Sequence, residues 1–395
     1  MISLPVPLTE SAAALIGRVW REVRHEHHFA DRALERLFRE ERPTDGAARG
    51  TIATALYDML RNARLLETAA GEQFADILAA WCVYRNVRLP LFLRENSGQL
   101  AGLLRQAAAV RAVQLSVPDW LDDMGERELG AAWEATAAAL NEPPQTVVRA
   151  NLTVISRERL IAALAAPGFA PQPLSWNDCG IIVNSTAGLF STPEFRRGCY
   201  EMQDAASQMT GLFCGVRPGM RVIDGCAGAG GKTLHLADLM QNRGKIIALD
   251  VRETALDELR RRAARARAAV IETRHISTTK VIKRLAGSAD VVLLDAPCSG
   301  TGVLRRNPDA KWRLTPADVE EFRRKQAEIL ARYSTVVAPG GYLVYAVCSI
   351  FPSEGERQTA EFLAAHGGEF RLEAERRYSP AEGFDGFYMA RMARR

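Results

Sequence analysis

No stretch of this 395-residue chain approaches the roughly 18 uninterrupted apolar residues of a membrane span. Its opening, MISLPVPLTESAAALIGRVWREVRHEHH, lacks a basic segment followed by a long apolar one, so no secretory leader is expected. The seven cysteines (82, 179, 199, 214, 226, 298 and 348) are odd in number and scattered, and none forms a CxxC pair. That argues against both a disulfide framework and a zinc site. The cluster His25 to His28 invites a metal, but a zincin helix needs a second His where Phe29 stands. The expectation is a cytoplasmic, membrane-free, metal-free chain, with a monomer the favoured state.

Hydrophobic residues make up 47% of the chain and charged residues 25%, enough to bury a substantial core. The length suggests two or three domains. The net charge of +4 is unevenly spread. Residues 1–140 hold sixteen Arg against nineteen acids, a net of −3, and the remainder therefore carries +7. A polyanionic partner is permitted, with the basic excess in the later two-thirds.

Residues 1–141 read as helix after helix. SAAALIGRVWREV, FADRALERLFRE, RGTIATALYDMLRNARLL, EQFADILAAWCVYRN and ERELGAAWEATAAAL all space apolar residues by three and four. Pro43, Gly71, Pro90 and Pro118 punctuate them. The arginines on these helices read first as solvated faces and second as an RNA-contacting face. Residues 142–205, opening on two prolines, suggest a small α+β module. Residues 206–395 alternate strands (RVIDG, KIIALD, VIETRH, DVVLLD, YLVYAV) with helices. That alternation predicts an α/β, Rossmann-like parallel sheet covered on both faces, with its ligand at the carboxyl ends of the strands.

The first of these strands ends in DGCAGAGGKT, Asp224 to Thr233. Glycines there let backbone N–H groups approach a ligand, and the helix that follows offers its N-terminus. A Walker A loop fails because Cys226 stands where its first Gly belongs. A dinucleotide fingerprint fits Gly228 and Gly230 and then fails at Thr233. The third reading is an S-adenosylmethionine site, with Asp250 at the end of KIIALD as the ribose-binding carboxylate.

DAPCSGTGVLRRNPDAKWR (Asp295 to Arg313) follows one core strand and CSI (Cys348 to Ile350) follows another. Methylating carbon 5 of a pyrimidine requires a thiolate to add at carbon 6, because carbon 5 alone is too weak a nucleophile. An acid near N3 stabilises the density pushed onto the ring, and a base must then take the carbon 5 proton. Two thiols and one carboxylate, Asp295, would supply these parts. Arg305, Arg306, Lys311 and Arg313, in the same loop, are RNA-contact candidates. The run Arg260, Arg261, Arg262, Arg265 and Arg267 reads as a solvated helix face.

GCAGAGGKT, DAPCSGTGVLRRNPDAKWR and VYAVCSI, in this order, resemble the RNA (cytosine-5)-methyltransferase family of the bacterial RsmB/Sun type. YEMQDAASQ and GFDGFYMAR are similar to the flanks of that family's catalytic domain, and PPQTVVRANL to its small preceding module. The helical region is compatible with a NusB-like RNA-binding domain. The resemblance implies Cys348 as the nucleophile, Cys298 as the thiol that assists release, and RNA, with ribosomal RNA favoured, as the partner. It also implies S-adenosyl-L-methionine held by Cys226, Ala227, Gly228, Ala229, Gly230, Gly231 and Lys232, with Asp250 on the ribose and Asp295 between cofactor and base. Two departures stand out: Val347 replaces a common Thr, and ETRHIST offers His275, Ile276 and Ser277 where the family places an acid near the adenine. The rival expectations are a DNA cytosine-5 methyltransferase using Cys298, and an RNA-binding ribosome-assembly factor on a degenerate methyltransferase fold.

Overall fold

The computed structural model describes residues 4–41 and 46–395; Pro43 lies outside the described residues. Among them no helix is long and apolar enough to cross a membrane. The chain divides into two compact units. One contains residues up to Pro144 together with Val303–Pro316, and the other contains Gln145–Gly302 and Ala317–Arg395.

In the first unit the helix Glu10–Arg24 starts at Thr9, whose Oγ accepts the Ala12 N–H at 3.2 Å. Ile16, Val19, Trp20 and Val23 fall on one face of that helix and are buried. Helices Ala30–Glu40, Gly46–Arg61, Ala63–Ala70 and Phe74–Arg85 add their own apolar faces to the same core. Each fully buried Leu or Ile contributes about 1.5–3 kcal/mol relative to exposure.

Residues 303–316 pack into this helical unit, which corrects the expectation that Lys311 reaches RNA. Lys311 is 1% exposed, and its Nζ donates to the carbonyls of Arg61 (2.7 Å) and Ser116 (2.8 Å) and to Oδ1 of Asn141 (2.8 Å). Burial, with the charges of Arg61 and Arg24, pushes its pKa well below the ordinary value. Three acceptors oppose that push, because only the ammonium form carries three N–H bonds. Trp312 donates its indole N–H to the Leu60 carbonyl at 3.1 Å, and the Arg24 guanidinium lies 4.2 Å from its ring centroid. Arg305 is buried as well, its carbonyl accepting both Nε and Nη2 of Arg61. Arg313 pairs with Asp309 and lies over the ring of Phe29.

The second unit carries two sheets. The smaller has strands β1 (Thr146–Ala150), β2 (Gln172–Pro173), β3 (Gly180–Val183) and β4 (Tyr200–Met202) in the order β2-β3-β1-β4, all antiparallel. Its inner face packs Val148, Ile181 and Tyr200 on Leu160 and Leu164 of the helix Arg157–Ala165.

The larger sheet has β5 (Arg221–Asp224), β6 (Lys245–Asp250), β7 (Ile271–His275), β8 (Ala289–Asp295), β9 (Val337–Val347), β10 (Phe370–Tyr378) and β11 (Phe387–Arg394). Their order is β10-β11-β9-β8-β5-β6-β7. The pairs from β7 through to β9 are parallel, and β11 and β10 add antiparallel pairs at one edge. β5, β6, β8 and the second half of β9 are rich in Val, Ile, Leu and Ala and largely buried on both faces, as a sheet covered on two sides requires. The chain runs outward from β5 through β6 to β7, then starts again on the other side with β8 and β9. Strand order therefore reverses at β5 and β8, the place where such sheets open a crevice at their carboxyl ends.

Candidate active site

Four strand ends meet along that crevice. β5 ends at Asp224, β6 at Asp250, β8 at Asp295, and β9 runs directly into Cys348. The glycine turn leaves β5. Gly228 and Gly230 take positive φ values of 53° and 86°. At Gly230 a Cβ would collide with Leu259, so glycine is required for the close approach of the helix Glu253–Ala266. On the other side the turn is open: a Cβ on Gly231 would meet nothing within 4 Å, and one on Gly228 only Arg252 Nη2 at 3.8 Å.

Asp250 closes the turn from β6. Its Oδ2 accepts the Gly228 N–H and its Oδ1 the Arg252 N–H, both at 2.8 Å. Each oxygen keeps a further lone pair for a ligand hydroxyl. Asp224 sits beneath the turn, 1% exposed, with Oδ2 accepting the Thr233 hydroxyl at 2.7 Å. Burial pushes its pKa up to about 7, against the Thr233 hydrogen bond and with help from the Asp295 charge. Cys226 is a half-buried thiol whose pKa is pushed well up, mainly by burial. Ala227 packs on Leu234, Leu256 and Leu259. At the end of β7, where an acid is absent, His275 Nε2 lies 3.0 Å from the Val251 carbonyl.

Lys232, in the first turn of the helix Gly231–Leu239, extends its ammonium to Oδ2 of Asp295 at 2.7 Å and over the ring of Phe387 at 5.0 Å. Burial draws its pKa down, but the charges of Asp295, Asp204 and Cys348 and the hydrogen bond to Asp295 together hold it above its ordinary value. The pair is mostly shielded from water, with side chains 11% and 31% exposed. Lys232 therefore belongs with Asp295 at the end of β8 as much as with the turn.

The sulfurs of Cys298 and Cys348 are 3.4 Å apart. The Cys298 thiol is pushed well above its ordinary pKa, first by its hydrogen bond with Cys348, then by burial and by the charges of Cys348 and Glu354. Cys82, Cys179, Cys199 and Cys214 lie buried elsewhere.

Two supports were not legible in the sequence. Arg262, expected on a solvated face, donates Nη1 to the carbonyl of Ala229 in the glycine turn at 2.7 Å and Nη2 to Glu201 at 3.0 Å. Glu201 of β4 also pairs with Arg265, and the small sheet braces the turn through Arg262. Glu354, 0% exposed, collects hydrogen bonds from Ser299 and Ser349, the residues that follow the two thiols.

A reversed parallel sheet, an open glycine turn, a carboxylate closing that turn and a strand-end crevice define a Rossmann-like methyltransferase fold, whose cofactor is S-adenosyl-L-methionine. The donor set fits that group: an open backbone edge for the methionine part and Asp250 for ribose hydroxyls. Residues 214–393 match the family described as 16S rRNA methyltransferase RsmB/F, and residues 117–189 the RsmF/B-like ferredoxin-like domain. The chain is similar to the ribosomal RNA small subunit methyltransferase B of Pseudomonas putida, with 30% identity covering 76% of this chain and 70% of that one. It is similar also to the protein of that name from Escherichia coli, with 31% identity covering 77% and 72%. A crystal structure of a methyltransferase homolog from Pyrococcus horikoshii aligns at 27% identity and a TM-score of 0.64, over 72% of this chain and 97% of that one. The chain belongs to the RsmB/F ribosomal RNA methyltransferase family. Across eight curated relatives that it matches, the aligned part spans between 57% and 72% of their own length.

Proposed function

We propose that the chain transfers a methyl group from S-adenosyl-L-methionine to carbon 5 of a cytosine in RNA, with small-subunit ribosomal RNA the favoured substrate. The observation that carries this reading is the pair of thiols 3.4 Å apart beside the Asp295–Lys232 ion pair. A methyltransferase acting on oxygen or an exocyclic nitrogen has no use for two thiols in one crevice.

The cofactor supplies an electrophilic methyl group on a sulfonium. Cys348, as its thiolate, adds to carbon 6 of the cytosine and makes carbon 5 nucleophilic. Asp295, holding a proton shared with N3, and the Lys232 ammonium beside it offset the negative charge that addition pushes onto the ring. Cys298 then serves the release. Once Cys348 is bound to carbon 6, the hydrogen bond and charge that hold the Cys298 proton are gone; that proton passes to water, and the Cys298 thiolate takes the carbon 5 proton. As that proton leaves, the carbon 6–sulfur bond breaks and Cys348 is regenerated. Single-stranded or looped RNA can bring a base into such a crevice without the cost of opening a duplex.

The test compares Cys298→Ser and Cys348→Ser, each incubated with S-adenosyl-L-methionine and bulk RNA and run on a denaturing gel. Cys298→Ser is expected to accumulate a protein–RNA adduct and Cys348→Ser none. The reverse pattern would make Cys298 the nucleophile, as in the DNA enzymes. Intact protein that binds no cofactor by calorimetry and forms no adduct would favour an assembly factor instead.

A further inference from the structure

Glu354 lies six residues beyond Cys348 and is fully buried. Its Oε1 accepts the backbone N–H of Ser299 at 2.9 Å and the amide of Gln326 at 3.0 Å. Its Oε2 accepts the hydroxyls of Ser299 at 2.5 Å and Ser349 at 2.6 Å. Four donors use the roughly four lone-pair sites of a carboxylate. Ser299 follows Cys298 directly, and Ser349 follows Cys348. Gln326 carries the grip one residue further back, its amide also donating to the Pro297 carbonyl at 3.0 Å. Glu354 is itself fixed by the Tyr345 hydroxyl, which donates to its carbonyl at 2.6 Å from within β9.

We propose that Glu354 is a positioning residue: its carboxylate locks the turns behind Cys298 and Cys348 to each other and thereby sets the distance between the two sulfurs. Its use in catalysis rests on the methyl-transfer reading above, but the geometry does not. Every donor to the carboxylate is a neutral group, and burying a charge against neutral partners is costly compared with an apolar or amide side chain of the same size. Stability alone does not call for a carboxylate here. Joining two turns through one atom does, because Oε2 accepts from both serines at once. A glutamine's single oxygen could take either pair of donors, but its NH2 group would then face the other pair. The turns are also tied by the Gly302 N–H, which donates to the Cys348 carbonyl at 3.0 Å, and by the Thr301 hydroxyl, 3.0 Å from Ser299 Oγ and 3.1 Å from Ser349 Oγ; Glu354 adds the acceptor that takes both serine hydroxyls. The charge of Glu354 also contributes to the raised pKa of Cys298.

The test uses the full chain and a readout independent of RNA. Diamide takes two electrons and two protons from a pair of thiols, forming a disulfide as it is reduced to the hydrazine. Sulfurs 3.4 Å apart need little movement to reach a bond of about 2.05 Å. The rate of Cys298–Cys348 disulfide formation is followed by peptide mass spectrometry and divided by the rate at which iodoacetamide alkylates the same two thiols, which removes changes in their ionisation. In Glu354→Gln this ratio is expected to fall about tenfold or more, as small misplacements of reacting groups do, and Glu354→Asp to recover part of it. S-adenosyl-L-methionine affinity by calorimetry is expected within about twofold of the parent, which shows the sheet intact. If Glu354→Gln does not fold, Ser349→Ala removes one link alone and is expected to lower the ratio in the same direction. An unchanged ratio in the folded variant overturns the proposal. A lowered ratio in a protein whose parent methylates no RNA keeps the positioning role and rejects the methyl-transfer reading.

Discussion

Cys298 and Cys348, separated by fifty residues of chain, stand with their sulfurs 3.4 Å apart because β8 and β9 are adjacent parallel strands in register. Leu294 lies beside Tyr345 and Asp295 beside Ala346, so the residues after both strands emerge together. The hydrogen bond with Cys348 is the foremost cause of the raised Cys298 pKa. Replacing Cys348 with Ala should therefore let Cys298 ionise at lower pH. The expected result is faster iodoacetamide alkylation of Cys298 at neutral pH in Cys348→Ala than in the parent. The gain is about tenfold for every pH unit by which the thiol's titration moves down. Equal rates would mean that burial, not the thiol pair, keeps Cys298 protonated.

Asp250 both closes the glycine turn and offers lone pairs to a ligand. Asp250→Ala leaves the Gly228 N–H without its acceptor and removes the proposed ribose contact. A loss of about 1–3 kcal/mol for each such group corresponds to at least about tenfold weaker S-adenosyl-L-methionine binding. Calorimetry checks this. Affinity within twofold of the parent would move the ribose site away from β6.

Asp224 gives the protein a pH dependence of definite sign. Its folded pKa, about 7, lies above the ordinary 3.8, so the folded state holds the proton more tightly than the unfolded chain. The contribution is largest at the acid end and is lost as pH rises from about 4 through about 7, by at most ~1.4 kcal/mol per pH unit. Asp224→Asn keeps an acceptor for the Thr233 hydroxyl and removes the titration. Thermal midpoints of parent and variant from pH 4.5 to 8 should therefore converge at the acid end, with the variant ahead at the alkaline end. Parallel curves would show that Asp224 does not titrate in this range.

Lys311→Met leaves three buried oxygens, on Arg61, Ser116 and Asn141, without their donor. At about 1–3 kcal/mol each, the helical unit should lose on the order of 3 kcal/mol or more. Tryptophan fluorescence follows this, since Trp20, Trp81 and Trp312 belong to or pack on its core. A lower thermal midpoint is expected. An unchanged midpoint with weakened RNA binding would return Lys311 to the surface role its loop suggests.

Most of the strand-end crevice was legible in the sequence because strand ends are. Runs such as VVLLD and IIALD mark buried strands, and the polar residue that closes each lies at the carboxyl edge. The glycines of GCAGAGGKT reported a backbone that must come close to something, and at Gly230 that neighbour is Leu259. What could not be read was reach. Arg262 sits in a run of arginines indistinguishable from a solvated face, and only the fold brings Ala229 and Glu201 beside it. Glu354 is one acid in PSEGE, and its partners at Ser299 lie 55 positions earlier. Lys311 carries a charge in a proline-broken loop, the usual mark of exposure, yet its three acceptors come from distant stretches of the chain. Periodicity reports which face of an element is apolar. It carries nothing about which polar side chains find one another across the fold.

The path of residues 303–316 has a consequence for how this chain can be divided. Its polypeptide leaves the sheet-bearing unit after Gly302, contributes Lys311 and Trp312 to the helical one, and returns at Ala317. The two units are thus joined by three covalent crossings, at 144/145, 302/303 and 316/317. A gene shortened to begin after Pro144 would remove the helices yet keep the peptide they enclose, turning an interior lysine and an indole toward water. Modularity in this molecule follows the order of packing, not the order of codons.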